Sequence, residues 1–436
     1  MRALMGRLLT AALNAVDPAI AVRRCVRRRR SSLSIGPHYY DLRRYRRLVA
    51  VGAGKASARM ASALEDVLGD RLTDGMIVVK YGHACVTRAI EVLEAGHPVP
   101  DRAGQQAAER LLQLIGGLSS ADLLFVLLSG GASSLLPAPV PGVTLSDKQR
   151  ITQLLLRSGA GIQEINTVRK HLSSLKGGRL AAATPARVIS LILSDVIGDD
   201  LGTIGSGPTA PDPTTYASAV HILRRYAIWD RVPARARQYL LEGRRGLRAE
   251  SPKPGAPVFT RVQNQIIGNN NAAVEAVARE AAREGFRSMV LSTSLTGEAR
   301  ETARFFGALA REIVTTARPA RPPVCVIAGG ELTVSVRGDG KGGRAQEFAL
   351  AAAREISGLP NVWVAAFGTD GTDGPTDAAG AVVDGRTMAR AASLGLSPVD
   401  ALVNNDAYPF FKRLDQLIVS GPTGTNVNDL YLLIVR

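Results

Sequence analysis

Apolar runs of strand length recur along this chain with helical segments between them, and most runs stop at a polar or glycine-rich turn. "LVAVGAGKAS" leads into an Ala/Met/Leu-rich stretch, Ala58 to Leu68, whose pattern predicts a helix, and "GMIVVKYGHA" follows. "LLFVLLSGGASS" and "VISLILSDVIGDD" come next, and later "QIIGNNNAAVEAVAREAAREG", "SMVLSTSLTGEA", "VCVIAGGELTVSV", "VWVAAFGTDGTDG" and "DLYLLIV". Apolar strands alternating with helices read as α/β, with largely parallel sheets buried on both faces. Nearer the N-terminus, Leu8, Leu9, Ala12, Leu13 and Val16 fall at helical spacing. Asp17 and Pro18 then supply an N-cap and a first-turn proline for a second helix.

A chain of 436 residues is too long for one ordinary core, so two α/β domains are expected. The stretch "GRRGLRAESPKPGAPVFTR", Gly243 to Arg261, is rich in charge, proline and glycine and predicts the linker. It divides the chain into domains 1–242 and 262–436, the second with a mixed sheet. No apolar run approaches the roughly 20 residues of a membrane span, so no membrane partner is expected. Cys25, Cys85 and Cys325 are odd in number and widely spaced, which argues against a disulfide framework or a zinc cluster and for a reducing, cytoplasmic setting.

The formal net charge is +16, and it is uneven: twelve arginines in the first fifty residues face only Asp17 and Asp41. "RRCVRRRRSS" could be a transit peptide or a nucleic-acid arm. The helical spacing around it favours a folded helix pair whose arginines form a solvated face that also draws in anions. With aromatics at 5% a stacking-type nucleic-acid binder is disfavoured, and no nucleic-acid partner is expected.

Ligands of open α/β sheets bind beyond the carboxyl ends of the strands. Here those ends carry Gly52, Gly54 and Lys55; Ser129, Gly130 and Gly131; Asp195; Glu331; and Asp370 and Asp373. Chemistry at tips in both halves of the chain predicts an active site in a cleft between the domains. "SGGASS", including Ala132 and Ser133, offers closely spaced backbone N–H groups to an anion and should open a helix, although a plain strand-to-helix turn has the same composition. "GDGKGGRAQEFAL" sets Gly343 and Arg344 at a helix start, where an arginine opposes the helix dipole unless an anion lies between them. Asn269 joins Gly54, Gly343, Glu331 and the "SGGAS" residues as a substrate- or phosphate-binding candidate. Cationic, glycine-rich cradles together with acidic tips suit phosphoryl transfer.

"VAVGAGKAS", "LLSGGASSLLPAP", "NTVRKHLSSLKGGRLA", "SDVIGDDLGTIGSGPT", "GGELTV", "GKGGRAQEFAL", "GTDGTDGPTDAAGA" and "GPTGTNVNDL" closely resemble, in the same order, the glycerate 2-kinases of the two-domain class, which some annotations call hydroxypyruvate reductases. The resemblance implies an N-terminal Rossmann-like domain and ATP- and Mg²⁺-dependent phosphorylation of D-glycerate at its 2-hydroxyl. It carries the family's lysine onto Lys55 and the arginine of its G-G-R motif onto Arg344. Ala345 departs from it, standing where the family has asparagine. Asp370 and Asp373 are the expected Mg²⁺ ligands, and Asp195 is the residue expected to orient or deprotonate the hydroxyl. The implied partners are ATP and D-glycerate, and assembly as a homo-oligomer is left open.

One rival is an NAD(P)H-dependent hydroxypyruvate reductase, because Gly52, Gly54 and Ser57 approximate a dinucleotide fingerprint. That fingerprint requires an acidic residue at the end of the second strand. Asp74 precedes the strand, and Lys80 and Tyr81 occupy its end.

Overall fold

A strand covered on both faces has no polar side, and the central strands of this protein are accordingly runs rich in valine, leucine, isoleucine and alanine. The computed structural model describes residues 1–436 and resolves two compact units, Pro18–Ile267 and a second made of Met1–Asp17 with Gly268–Arg436.

The Pro18–Ile267 unit opens with a short helix, Pro18–Cys25, and an antiparallel meander of β1 (Val26–Arg29), β2 (Ser32–Ile35) and β3 (His38–Asp41). Its main sheet contains β4 (Leu48–Ala53), β5 (Leu72–Lys80), β6 (Glu91–Ala95), β7 (Leu123–Leu128), β8 (Arg187–Leu193) and β9 (Val262–Gly268), in the order β6-β5-β4-β7-β8-β9. Strands β4 to β8 run parallel. The chain therefore starts in the middle, builds outward through β5 and β6, and returns to the other side through β7. This is the doubly wound order, whose crevice lies at the tips of the two central strands. Val49, Val51, Val126 and Val188 pack against Ala107, Leu111 and Ile115 of helix Arg102–Gly116. A helical subcore collects Ile151, Leu155, Val168, Tyr216, Leu223 and Leu240.

The second unit is a mixed sheet of β10 (Arg287–Leu295), β11 (Val324–Gly330), β12 (Val362–Gly368), β13 (Gly380–Asp384), β14 (Leu417–Ile418) and β15 (Asp429–Val435), ordered β10-β11-β15-β12-β13-β14. Only β10 and β11 pair in parallel. The last strand of the chain, β15, is central, with Val435 opposite both Val324 and Val362. Phe306, Phe348 and Tyr431 pack edge-to-face and tilted through this core, with ring centroids 5.2 and 4.8 Å apart.

Two boundaries differ from expectation. The division falls after Ile267, because β9 belongs to the first sheet and the stretch 243–261 is tied to that unit. Arg261 donates to Ala181 O at 3.1 Å and Ala186 O at 3.2 Å, and Ser251 donates to Asp212 at 2.8 Å. The N-terminal helices form as expected, but Arg2–Ala15 belongs with the second unit, beside helix Asn270–Arg283. Within "RRCVRRRRSS", Arg27, Arg28 and Arg29 lie in β1 and not on a helix. No helix is long and apolar enough to cross a membrane.

Candidate active site

Because β4 and β7 are neighbours in register, their turns meet beyond the sheet. Lys55 N–H donates to Gly130 O at 2.9 Å and Ser129 N–H to Ala53 O at 3.2 Å. The buried Ser129 hydroxyl accepts from Ala56 N–H at 3.0 Å and shares a 3.1 Å hydrogen bond with Ser57. Gly54, Lys55, Ser129, Gly130 and Gly131 thus form one double turn at the crevice. The N–H groups of Gly130 and Gly131 donate to no protein acceptor. The helix expected after "SGG" is only Ala132–Leu135, too short to add a useful dipole. Ser133 instead bonds Ser206 across the crevice at 2.8 Å. Asp195 follows β8, the next tip in the row, and is half-buried.

The sequence reading missed the histidines here. His83 donates from Nδ1 to Lys55 O at 3.2 Å, and a Cβ on Gly131, which has φ 91°, would come within 2.9 Å of the His97 ring. Burial pushes His97 down to about 4, helped by the charges of Lys55, Lys80 and His83, so it is neutral at pH 7. Neither histidine has metal-ligand spacing, and only the strand order β6-β5-β4-β7 brings them to Lys55 and Gly131.

In the other unit, Arg344 is the first residue of helix Arg344–Glu355. Its guanidinium holds Asp429 through Nε at 2.5 Å and Nη2 at 3.2 Å, and Glu331 through Nη1 at 2.5 Å. Burial works against this cation, yet the two carboxylates hold it above its ordinary range. Asp429 is buried and its carboxyl is pushed up by that burial, with Arg344 opposing; Tyr431 also donates to it at 3.0 Å. Asn270 Nδ2 anchors the backbone there, donating to Val427 O at 2.9 Å and Asp429 O at 3.0 Å. The anion expected to neutralise the dipole conflict at Arg344 is therefore supplied by the protein itself. Asp429 was not singled out from sequence, since it begins an apolar strand and looks like a strand boundary.

The aspartate loop divides its labour. Asp373 is almost fully buried and accepts from Ala345 N–H at 3.1 Å and Gln346 N–H at 2.8 Å. The N-cap of that helix is Gly343, which has no capping side chain, and Asp373 takes its place from across the loop. A Cβ on Gly343 would strike the Asp373 carboxylate. Burial, with a contribution from Asp429, pushes Asp373 up to about 7. Both its oxygens cap a helix, a structural task beside the metal role expected of it from sequence. Asp370 accepts from Thr372 N–H and Oγ1, both at 3.1 Å, through one oxygen and keeps the other. Asp377 accepts from Tyr408 at 2.7 Å. No group of three His, Cys, Asp or Glu side chains is arranged to hold a metal. Asn269 also has a structural task, its Oδ1 capping helix Asn270–Arg283 through Ala272 N–H at 2.9 Å. Ala345 is buried in the apolar core, where an asparagine amide would need partners.

The two units carry opposite chemistry. Lys55, Lys80 and the serine–glycine turn present cations and N–H donors, which suits anionic oxygens. Glu331 and Asp429 flank one arginine, and the aspartate loop adds Asp370, which suits a cation or a hydroxyl proton.

The description "Domain of unknown function (DUF4147)" matches residues 4–241, and "MOFRL family" matches residues 324–429. A protein of Pyrococcus horikoshii named glycerate 2-kinase is 42% identical over 430 residues, 98% of this chain and 96% of its own length. A relative from Agrobacterium vitis with a provisional hydroxypyruvate reductase name is 41% identical, covering 100% of this chain and 94% of its own. The crystal structure of a glycerate kinase from Thermotoga maritima superimposes with a TM-score of 0.89 at 40% identity, covering 99% of both chains.

Proposed function

The chain belongs to the glycerate kinase family, and from that premise we propose that it transfers the γ-phosphoryl group of ATP to the 2-hydroxyl of D-glycerate, giving 2-phosphoglycerate and ADP. The observation that carries this reading is the split in charge: cationic, glycine-lined tips in one unit and a carboxylate-flanked arginine in the other. Phosphoryl transfer consists mostly of positioning and charge neutralisation, and it uses both kinds of surface.

In this reading Lys55 and the N–H groups of Gly130 and Gly131 hold anionic oxygens of the substrates. A guanidinium has five N–H groups, and Asp429 and Glu331 take three of those on Arg344. One N–H on each Nη remains to grip the transferring group, already oriented by the carboxylates. Asp195 is the candidate to orient or deprotonate the 2-hydroxyl. Mg²⁺, if bound, would supply charge neutralisation for the phosphate oxygens, and Asp370 is the residue that would hold it. The three cysteines are free thiols, which suits a reducing cytoplasm.

The reductase reading has less support. In β5 the only acid, Asp74, pairs with Val49 at the start of the sheet, and the strand ends at Lys80. The nearest carboxylates, Glu94 and Asp101, come from other segments and are already engaged by Gly82 N–H at 2.7 Å and Tyr81 Oη at 2.8 Å, so β5 itself does not end in the acid that takes a ribose hydroxyl. The test is incubation with ATP, Mg²⁺ and D-glycerate, with the product identified by ³¹P NMR. Formation of 2-phosphoglycerate supports the proposal. NAD(P)H oxidation with hydroxypyruvate and no phosphoryl transfer would replace it.

A further inference from the structure

Behind the "SGGASS" turn lie three cations that the reading above does not use. Lys148 comes from helix Leu145–Arg157, Arg169 from helix Ile162–His171, and Lys176 from the turn that follows. Lys148 and Lys176 retain only 7% and 2% exposure. Lys176 Nζ donates to Ser133 O at 2.7 Å and Leu136 O at 3.3 Å, and Lys148 Nζ donates to Pro137 O. Both ammonium groups therefore sit against the segment that leads out of the serine–glycine turn.

No carboxylate pairs with any of the three. Lys170, the neighbouring buried lysine on the same helix, does have one: Asp212 at 3.4 Å. Burial pushes Lys148 and Lys176 well below the ordinary lysine range, and Arg169 adds to both shifts, while Lys148 adds to that of Lys176. Fixing the segment 133–137 accounts for the two lysines. It does not account for Arg169, which is half-buried and makes no hydrogen bond within the protein. Arg169 lies one turn from Asn166, which accepts from Ser206 at 3.0 Å, and Ser206 in turn bonds Ser133 at 2.8 Å. A line of hydroxyls thus runs from the serine–glycine turn toward the helix face that carries the arginine.

Buried charge is tolerated where it is paired. One carboxylate would leave most of this charge uncompensated, whereas a phosphate or polyphosphate group brings two or more negative charges and many acceptor oxygens. We propose that Lys148, Arg169 and Lys176, with the Ser133 and Ser206 hydroxyls, form a binding site for a phosphate group of at least two negative charges. Arg169, the most exposed of the three, forms its mouth and makes the direct fork contact. The phosphate could come from the nucleotide or from the phosphorylated product. Assigning it to either rests on the kinase reading, but the site itself does not.

The experiment is isothermal titration of the full chain with pyrophosphate, ADP, 2-phosphoglycerate and D-glycerate, comparing wild type with Arg169→Ala and Arg169→Lys. Arg169 supports no other residue, so both variants should fold, which circular dichroism checks. We expect Arg169→Ala to weaken pyrophosphate at least tenfold, Arg169→Lys to recover part of that loss, and D-glycerate to be unaffected. Loss of ADP binding with 2-phosphoglycerate unchanged identifies the nucleotide as the source, and the reverse identifies the product. Arg169-dependent pyrophosphate binding without any kinase turnover would retain the site and remove the kinase reading. Wild type that ignores pyrophosphate, or Arg169→Ala that binds it normally, overturns the proposal. Equal weakening of D-glycerate and pyrophosphate also overturns it.

Discussion

Replacing Arg344 by lysine keeps the charge but removes the planar fork, so it separates the two tasks assigned to this residue. Arginine reaches Asp429 and Glu331 together and keeps two N–H groups for substrate. A lysine ammonium has three N–H groups at one point and cannot bridge both carboxylates while also gripping an anion. Asp429 is 4% exposed and would retain the ammonium, because leaving a buried carboxylate unpaired is the costlier outcome. Glu331 is 46% exposed, so losing its contact costs under about 1 kcal/mol after screening by solvent. Adding the poorer geometry at Asp429, the fold should lose about 1–2 kcal/mol, and Tm should fall by roughly 2–8 °C. Catalysis should suffer more, with kcat lowered on the order of 10²-fold, as when other preorganised charge stabilisers are lost. Steady-state kinetics with D-glycerate and thermal unfolding of the same preparation measure both. Turnover within threefold of wild type would reduce Arg344 to a clamp on Asp429. A fall of more than about 15 °C would mean that activity was lost through the fold.

Lys55→Ala should lower kcat/KM at least tenfold with an unchanged Tm, since a charge-assisted hydrogen bond to an anion contributes about 1.5–3 kcal/mol and the Lys55 ammonium holds nothing else in the protein; wild-type kinetics would remove Lys55 from the site. Asp370→Asn should raise the Mg²⁺ concentration needed for half-maximal rate, whereas equal loss at every Mg²⁺ concentration would point to substrate orientation. Asp373 titrates at about 7 in the folded protein against 3.8 for an ordinary aspartate, so the native state holds that proton more tightly. Its contribution to stability is complete below about pH 4 and is lost as pH rises through about 7. In a Trp229→Phe background, where Trp363 on β12 reports this unit alone, Tm should fall between pH 6 and 8; Asp373→Asn should flatten that slope, and an identical slope in both proteins would refute the assignment.

The long apolar strands were legible in the sequence because the cause is local. A strand buried on both faces needs consecutive apolar residues, and "LVAVGA", "LLFVLL", "VISLIL" and "DLYLLIV" supply them within a few positions. The glycine turns after these runs likewise identified Lys55 and Ser129 as tip residues. Less apolar strands escaped: β6 reads "EVLEA" and β14 is two residues long. The linker signal at 243–261 misplaced the boundary because composition records exposure and turns, whereas membership of a unit depends on the sheet that receives β9.

Partnership was decided by tertiary structure alone. Arg344 meets Asp429 across 85 residues because the final strand enters the middle of its sheet. Asp373 became a helix cap because Gly343, 30 positions earlier, leaves room for its carboxylate. Lys148 and Arg169 lie on helices and Lys176 on a turn, and only the folded unit gathers them and withdraws them from water without supplying a carboxylate. Hydrophobic periodicity is written in neighbouring residues, but the compensation of a charge depends on what the whole chain brings within a few ångströms of it.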